Sequence, residues 1–309
     1  MKFIENIEKG LSDSDIDNFL AGVYKEIEGV KKILIIHPDY TRVDFTDKIV
    51  PAITDKLCSS GAEAIDFLNA GGTHRKMSEG EFLSKLGLKG KDNRIRFYNH
   101  QYDDLASLVT IGNIESDLVK EKTDGQLTEP IPITINKLIF GNYDLIIAIS
   151  STVPHEASGY SGGLKIFFPG ISGPEVIDLF HWAAVLVGLP VIIGSVDNNA
   201  RDIINQGSYH IFKKIRARVY SFNMVNIEKG NAVIPIGLYV DQGFEGFKRT
   251  YQAASTTSSK VHVKYIDEPL KKVVQEIPRC YDEIWTAAKG SYNLQEPGVI
   301  TKGGEIIIY

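Results

Sequence analysis

The stretch Lys31-Lys32-Ile33-Leu34-Ile35-Ile36-His37-Pro38-Asp39 decides the fold. Four consecutive aliphatic side chains leave no polar face, so a strand made of them must be covered on both sides. Strands of that kind belong to parallel sheets enclosed by helices. The loops at their C-terminal ends are where such folds carry their chemistry. The same pattern continues outward along the chain. Residues 47–60 read as a helix closed by Gly61. Ala64-Ile65-Asp66-Phe67-Leu68 reads as a second strand, opening into Asn69-Ala70-Gly71-Gly72-Thr73-His74. Ser78 with Glu81 three residues on has the spacing of a capping box and starts a helix through Leu86. Residues 143–149 and 190–194 read as further buried strands.

These elements predict an α/β fold. A large N-terminal domain, with a mostly parallel sheet flanked by helices, is followed by part of a smaller second α/β domain. The texture changes between Val261 and Pro278, which sets the expected boundaries at 1–262 and 263–309. The chain ends on Gly303-Gly304-Glu305-Ile306-Ile307-Ile308-Tyr309, whereas a terminus usually trails off in polar residues. The second domain is therefore expected to be truncated.

Composition narrows the function classes. With 43% hydrophobic and 24% charged residues, the chain can bury a core and does not have the make-up of a disordered segment. The net charge of -5 and the scattered lysines argue against a nucleic-acid or anionic-membrane partner. The N-terminal residues are acidic where a leader would be apolar, and no apolar run reaches the ~18 residues of a spanning helix. A cytoplasmic protein is expected. Cys58 and Cys280 are too far apart in sequence for a metal knuckle and read as reduced thiols.

Polar clusters follow the strands. His74 and His155 each come directly after a buried strand, in loops rich in Gly, Ser and Thr; His181 is more loosely placed, in a helical stretch. Imidazole is the side chain suited to proton transfer near neutral pH. The densest segment runs Val153-Pro154-His155-Glu156-Ala157-Ser158-Gly159-Tyr160-Ser161-Gly162-Gly163-Leu164-Lys165. Its glycines let backbone approach a ligand, and its amides could hold an anion. Lys165 adds a charge or, if desolvated, a nucleophile. It is not a Walker A loop, because Leu164 separates Gly163 from Lys165 and no Ser or Thr follows. Asp39-Tyr40-Thr41-Arg42 sets a carboxylate, a hydroxyl and a guanidinium within four residues, and Arg42 can grip a substrate carboxylate through two bonds. Two flanking bases suit racemisation at a carbon. The same set would serve a pyridoxal-type enzyme or a metal-dependent hydrolase.

The motifs D-Y-T-R at Asp39 to Arg42, G-T-H-R at Gly72 to Arg75, and P-H-x-x-x-G-Y-S-G-G-x-K-x-x-x-P-G from Pro154 to Gly170 occur in that order, followed by His181. Together they resemble the nickel-pincer lactate racemase family. A later A-A-K-G, Ala287 to Gly290, resembles the start of that family's C-terminal domain. The long glycine motif is specific; D-x-T-R and A-K-G are short. The resemblance implies an isomerase acting on a small 2-hydroxy acid or related hydroxy substrate. It also implies a nickel-pincer nucleotide: a pyridinium-3,5-dithiocarboxylic acid mononucleotide carrying Ni, supplied by cofactor-synthesis proteins and dependent on the host for loading. By the same resemblance, Lys165 would bond to the cofactor, His181 would complete the nickel, and His74 and His155 would act as acid and base. Arg42 and Lys289 would hold substrate. Asp39, Thr41, Ser161, Gly162 and Gly163 would line the cofactor's ribose and phosphate. The implied reaction moves the α-hydrogen as hydride and returns it to the other face of a planar keto intermediate. Lactate-type members carry Tyr-Gln ahead of the A-x-K-G lysine, where this chain has Trp285-Thr286. A substrate bulkier than lactate is expected. The competing readings are a metal-dependent hydrolase using the same histidines and a non-catalytic relative that binds a nucleotide-like ligand.

Overall fold

In the computed structural model, which describes residues 1–90, 92–230, 232–277, 284, 288–295 and 298–309 (the side chains of 289 and 295 excepted), the elements alternate as the aliphatic runs require. The first half comprises β1 (Lys2–Glu5), α1 (Asp13–Ile27), β2 (Lys32–His37), α2 (Thr46–Ser59), β3 (Ala64–Asn69), α3 (Glu79–Leu86) and β4 (Ile95–Asn99). A small antiparallel pair follows, β5 (Leu108–Ile114) and β6 (Ile131–Asn136), with α4 (Ser116–Lys122) between them. Then come β7 (Leu145–Ser151), the short pair β8 (Pro154–His155) and β9 (Gly159–Tyr160), and the helices α5 (Pro174–Val187), α6 (Leu189–Ile192) and α7 (Asn199–Phe212). The hairpin β10 (Arg218–Lys229) and β11 (Ala232–Gln242) leads into α8 (Gly243–His262). A two-stranded parallel sheet, β12 (Leu270–Gln275) with β13 (Ile300–Ile308), stands apart from the main one.

The main sheet has seven strands in the order β1-β11-β10-β7-β2-β3-β4. The pairings from β10 through β7, β2 and β3 to β4 are parallel, and β11 runs against both its neighbours. Alternation along β2 explains the two-sided burial. Ile33 and Ile35 pack with α1, α2 and α3 through Leu20, Ile49 and Phe82. Leu34 and Ile36 pack on the opposite face with Phe168, Phe180 and Ile203. The fold is thus the mixed α/β arrangement expected, with a mostly parallel sheet between helical layers. Ser78 and Glu81 make the reciprocal capping bonds, and α3 ends at Leu86 with Gly87 in the left-handed region.

One element is corrected. Residues 190–194 are not a buried strand: the helical turn α6 occupies Leu189–Ile192, and Val191 is 68% exposed. A short apolar run cannot separate strand from helix, and Pro190 fits the first turn of a helix. Among the described residues no helix is long and apolar enough to cross a membrane. Cys280, Trp285, Thr286 and Ala287 lie outside the described residues.

Candidate active site

The C-terminal ends of β2, β3 and β7 open into one cleft of about 470 Å³. The loop after β2 brings Asp39 and Arg42, and the loop after β3 brings His74. The loop after β7 brings His155, Glu156, Ser161 and Lys165. Helix α5 adds Ile177 and His181 from one side, and Gln275, the last residue of β12, closes another with Glu276. Residues distant in sequence converge because parallel strands end at the same edge of the sheet.

His74 is held by Asp39. Its Nδ1 lies 2.5 Å from Oδ2 of Asp39, whose residue is 1% exposed. The other carboxylate oxygen accepts the Thr41 amide at 3.0 Å and the Thr41 hydroxyl at 2.6 Å. Burial alone would raise the Asp39 carboxyl, but the bond and charge of His74, with Arg42 and Thr41, hold it below its ordinary value. Arg75 of the same loop turns elsewhere: it pairs with Glu81 at 2.8 Å and stacks on Tyr40. Its bonds, together with the Ser78 cap, bring Glu81 down to about 2.

His155 has different surroundings. Its Nδ1 accepts the Ala157 amide at 3.1 Å. Burial, then the nearby charges of Lys165, Arg42, His181 and Arg201, drive its pKa well below the ordinary value, so the ring is neutral. Glu156 Oε2 lies 3.3 Å from the same nitrogen, a contact that would become an ion pair only on protonation. His181 donates Nδ1–H to the carbonyl of Ile177, one turn back on α5, at 2.6 Å. That bond fixes the lone pair on Nε2.

The glycine segment is built from behind. Arg201 of α7, itself buried, donates to the carbonyls of Ser158 at 3.1 Å and Gly162 at 3.4 Å, and to that of Tyr160. Its guanidinium lies 3.8 Å over the Tyr251 ring of α8. The loop carrying Arg42 is pinned by Lys85, which donates to the Arg42 carbonyl at 2.6 Å and pairs with buried Asp44 at 2.9 Å.

Several expected roles need revision. The amides of Ser161 and Gly163 do not form an anion cradle, because they donate to the Val153 carbonyl and the Ser150 hydroxyl. The Ser161 hydroxyl bonds the Ser151 carbonyl. Gly162 and Gly163 pack closely on the scaffold: a Cβ would strike Thr152 and Asn223 at the first and Tyr251 at the second. Thr41 bonds Asp39 through both its amide and its hydroxyl. The backbone of Lys289 begins a short 3-10 segment, Lys289–Gln295, and its neighbour Gly290 lines the cleft; the Lys289 side chain lies outside the described residues. Sequence reading passed over Glu156, Gln275, Glu276 and Arg201. Glu156 was within the quoted motif. The others gave no local signal, since only the tertiary fold brings them to the cleft or to the loop behind it.

Comparison with known proteins follows the same lines. A model of the lactate racemase N-terminal domain matches residues 19–188. Lactate racemase of Thermoanaerobacterium thermosaccharolyticum is 29% identical over 180 residues, 57% of this chain and 39% of that protein. The lactate racemase of Lactiplantibacillus plantarum is also 29% identical, over 178 residues, 57% of this chain and 38% of that protein. The matched segment thus spans about two fifths of these relatives. A crystal structure of a protein from Thermotoga maritima superposes with a TM-score of 0.94 at 48% identity, over 98% of this chain and 71% of that one. The lactate racemase apoprotein of T. thermosaccharolyticum shares the fold, with a TM-score of 0.72 at 22% identity over 97% of this chain and 67% of that one. Since the domain model covers more than half of its residues, the chain belongs to the lactate racemase N-terminal domain family.

Proposed function

We propose that this protein is a racemase or epimerase of a 2-hydroxy acid or related hydroxy substrate, working by hydride transfer with a nickel-pincer nucleotide. The observation that carries this reading is the convergence of His74, His155, Lys165, His181 and Arg42 on one cleft. Its volume of about 470 Å³ lies within the range of small-molecule sites.

The residues fit such a group. Lys165 supplies an amine for a covalent bond, and His181, with its lone pair set on Nε2 by the Ile177 carbonyl, has the tautomer that a metal requires. Lys165 and Arg42 give the cleft positive charge, which favours a phosphate or carboxylate. When bound, the group would supply the nickel and the hydride-accepting ring. The chain's own residues would do the rest. Arg42 would grip the substrate carboxylate, with Lys289 as a second contact from the segment 263–309. His74 and His155 would handle the hydroxyl proton, and the apolar wall of α5 at Ile177 would limit water. In this reading residues 1–262 form the N-terminal domain and 263–309 the start of the second, in a cytoplasmic protein loaded by cofactor-synthesis proteins.

Chiral chromatography tests the reading. Protein co-expressed with cofactor-synthesis proteins should convert a single enantiomer of a larger 2-hydroxy acid toward the racemate, and faster than it converts lactate. Lys165→Arg and His181→Ala should each remove this activity. Substrates that stay enantiopure across a panel of hydroxy acids, with the cofactor demonstrably loaded, would contradict it.

A further inference from the structure

The two histidines facing the cleft are held by partners of opposite polarity. A carboxylate can only accept, so the 2.5 Å contact with Asp39 requires the proton of a neutral His74 to sit on Nδ1. A backbone amide can only donate, so the 3.1 Å bond from Ala157 requires Nδ1 of His155 to be bare. The remaining nitrogen of each ring, Nε2, is what it can offer a ligand: a lone pair at His74, an N–H at His155. We infer that the pair is not interchangeable: His74, positioned by Asp39, is the proton acceptor of the resting site, and His155 is a neutral hydrogen-bond donor.

This deepens the racemase reading and rests on it for its catalytic meaning. In this resting state His74 is set to accept a proton and His155 to offer one, the base and the acid of the pair. A ligand between the rings must then present a donor, such as a hydroxyl, to His74 and an acceptor oxygen to His155, a polarity that a 2-hydroxy acid supplies. The surroundings keep the division in place. His155 is ringed by Lys165, Arg42, His181 and Arg201, which oppose a further positive charge, while Glu156 is the one carboxylate in contact with it among the described residues.

Asp39 is a positioning residue with its own signature. Both Thr41 donors occupy Oδ1. In Asp39→Asn the amide oxygen should remain with Thr41, leaving the NH2 against Nδ1 of His74. Since NH2 only donates, Nδ1 must accept, and the His74 proton moves to Nε2.

Long-range proton–nitrogen NMR of histidine-labelled protein reads these tautomers directly, with or without cofactor. In the wild type His74 should carry its proton on Nδ1 and His155 on Nε2. In Asp39→Asn both should carry it on Nε2, and in loaded protein kcat should fall by roughly a hundredfold or more. Identical tautomers in the wild type, or a His155 proton on Nδ1, would overturn the inference without any variant having to fold. A folded Asn variant whose His74 keeps Nδ1–H would overturn the role of Asp39. Failure of the racemase reading would show separately, as intact tautomers in a loaded protein that leaves substrates enantiopure.

Discussion

Arg201 marks the limit of what single residues disclose. In sequence it is one of 34 Lys and Arg residues, outside every motif. In the fold it is 3% exposed, its guanidinium engaged by three carbonyls of the glycine segment and the Tyr251 ring. Removing it leaves buried carbonyls without donors, each a costly loss. Arg201→Met should destabilise the protein by about 3 kcal/mol in urea titration and loosen the wall that carries His155 and Lys165. Lysine, with fewer donors and no planar fork, should recover only part of this. Lys165 was legible, because an amine two residues past a glycine pair is conspicuous; its chemistry came from the family motif. A covalent role predicts added mass on the Lys165 peptide of loaded protein, analysed under non-reducing conditions, and none in Lys165→Arg. An unmodified peptide from active protein would rule that role out.

At the scale of elements, the sequence spoke clearly wherever backbone chemistry is local. The aliphatic runs of β2 and β3 and the Ser78–Glu81 box appear where their periods and caps place them. Residues 190–194 misled because hydrophobicity without length does not set a period. The glycine segment stands out in the sequence, but the packing of its glycines does not. Its glycines seat the loop against the scaffold, and the Ser161 and Gly163 amides bond within the protein. Gly159 has φ of +80°, and a Cβ there would lie 1.8 Å from the Ser195 carbonyl oxygen. Gly159→Ala should therefore displace the β8–β9 turn and cost about 2 kcal/mol or more, seen as a lowered urea midpoint. The hairpin β10–β11 escaped sequence reading. It extends the parallel sheet with an antiparallel strand, an assignment that needs the partners across the sheet to be known.

For the whole molecule, buried neutral histidines link stability to pH. Burial, the main cause, lowers His37 to about 4 and His100 to about 4, against an ordinary value of 6.5. The unfolded chain takes up these protons at higher pH than the native one, so stability is full above about 6.5 and falls as pH drops toward 4. Each group contributes at most about 3 kcal/mol over that window, so urea midpoints should fall steadily from neutral pH to about pH 4.5, and less so in His100→Gln. The candidate cleft is likewise a property of the whole fold, since loops from three strands, a helix and the segment beyond α8 meet there. The central claim is that this cleft inverts a hydroxy-bearing carbon by moving its hydrogen as hydride. The most direct measurement follows a single enantiomer deuterated at that carbon through turnover by loaded protein in ordinary water. Hydride transfer predicts that the inverted product retains its deuterium. Inverted product carrying solvent hydrogen at that carbon would mean proton abstraction and would contradict the account.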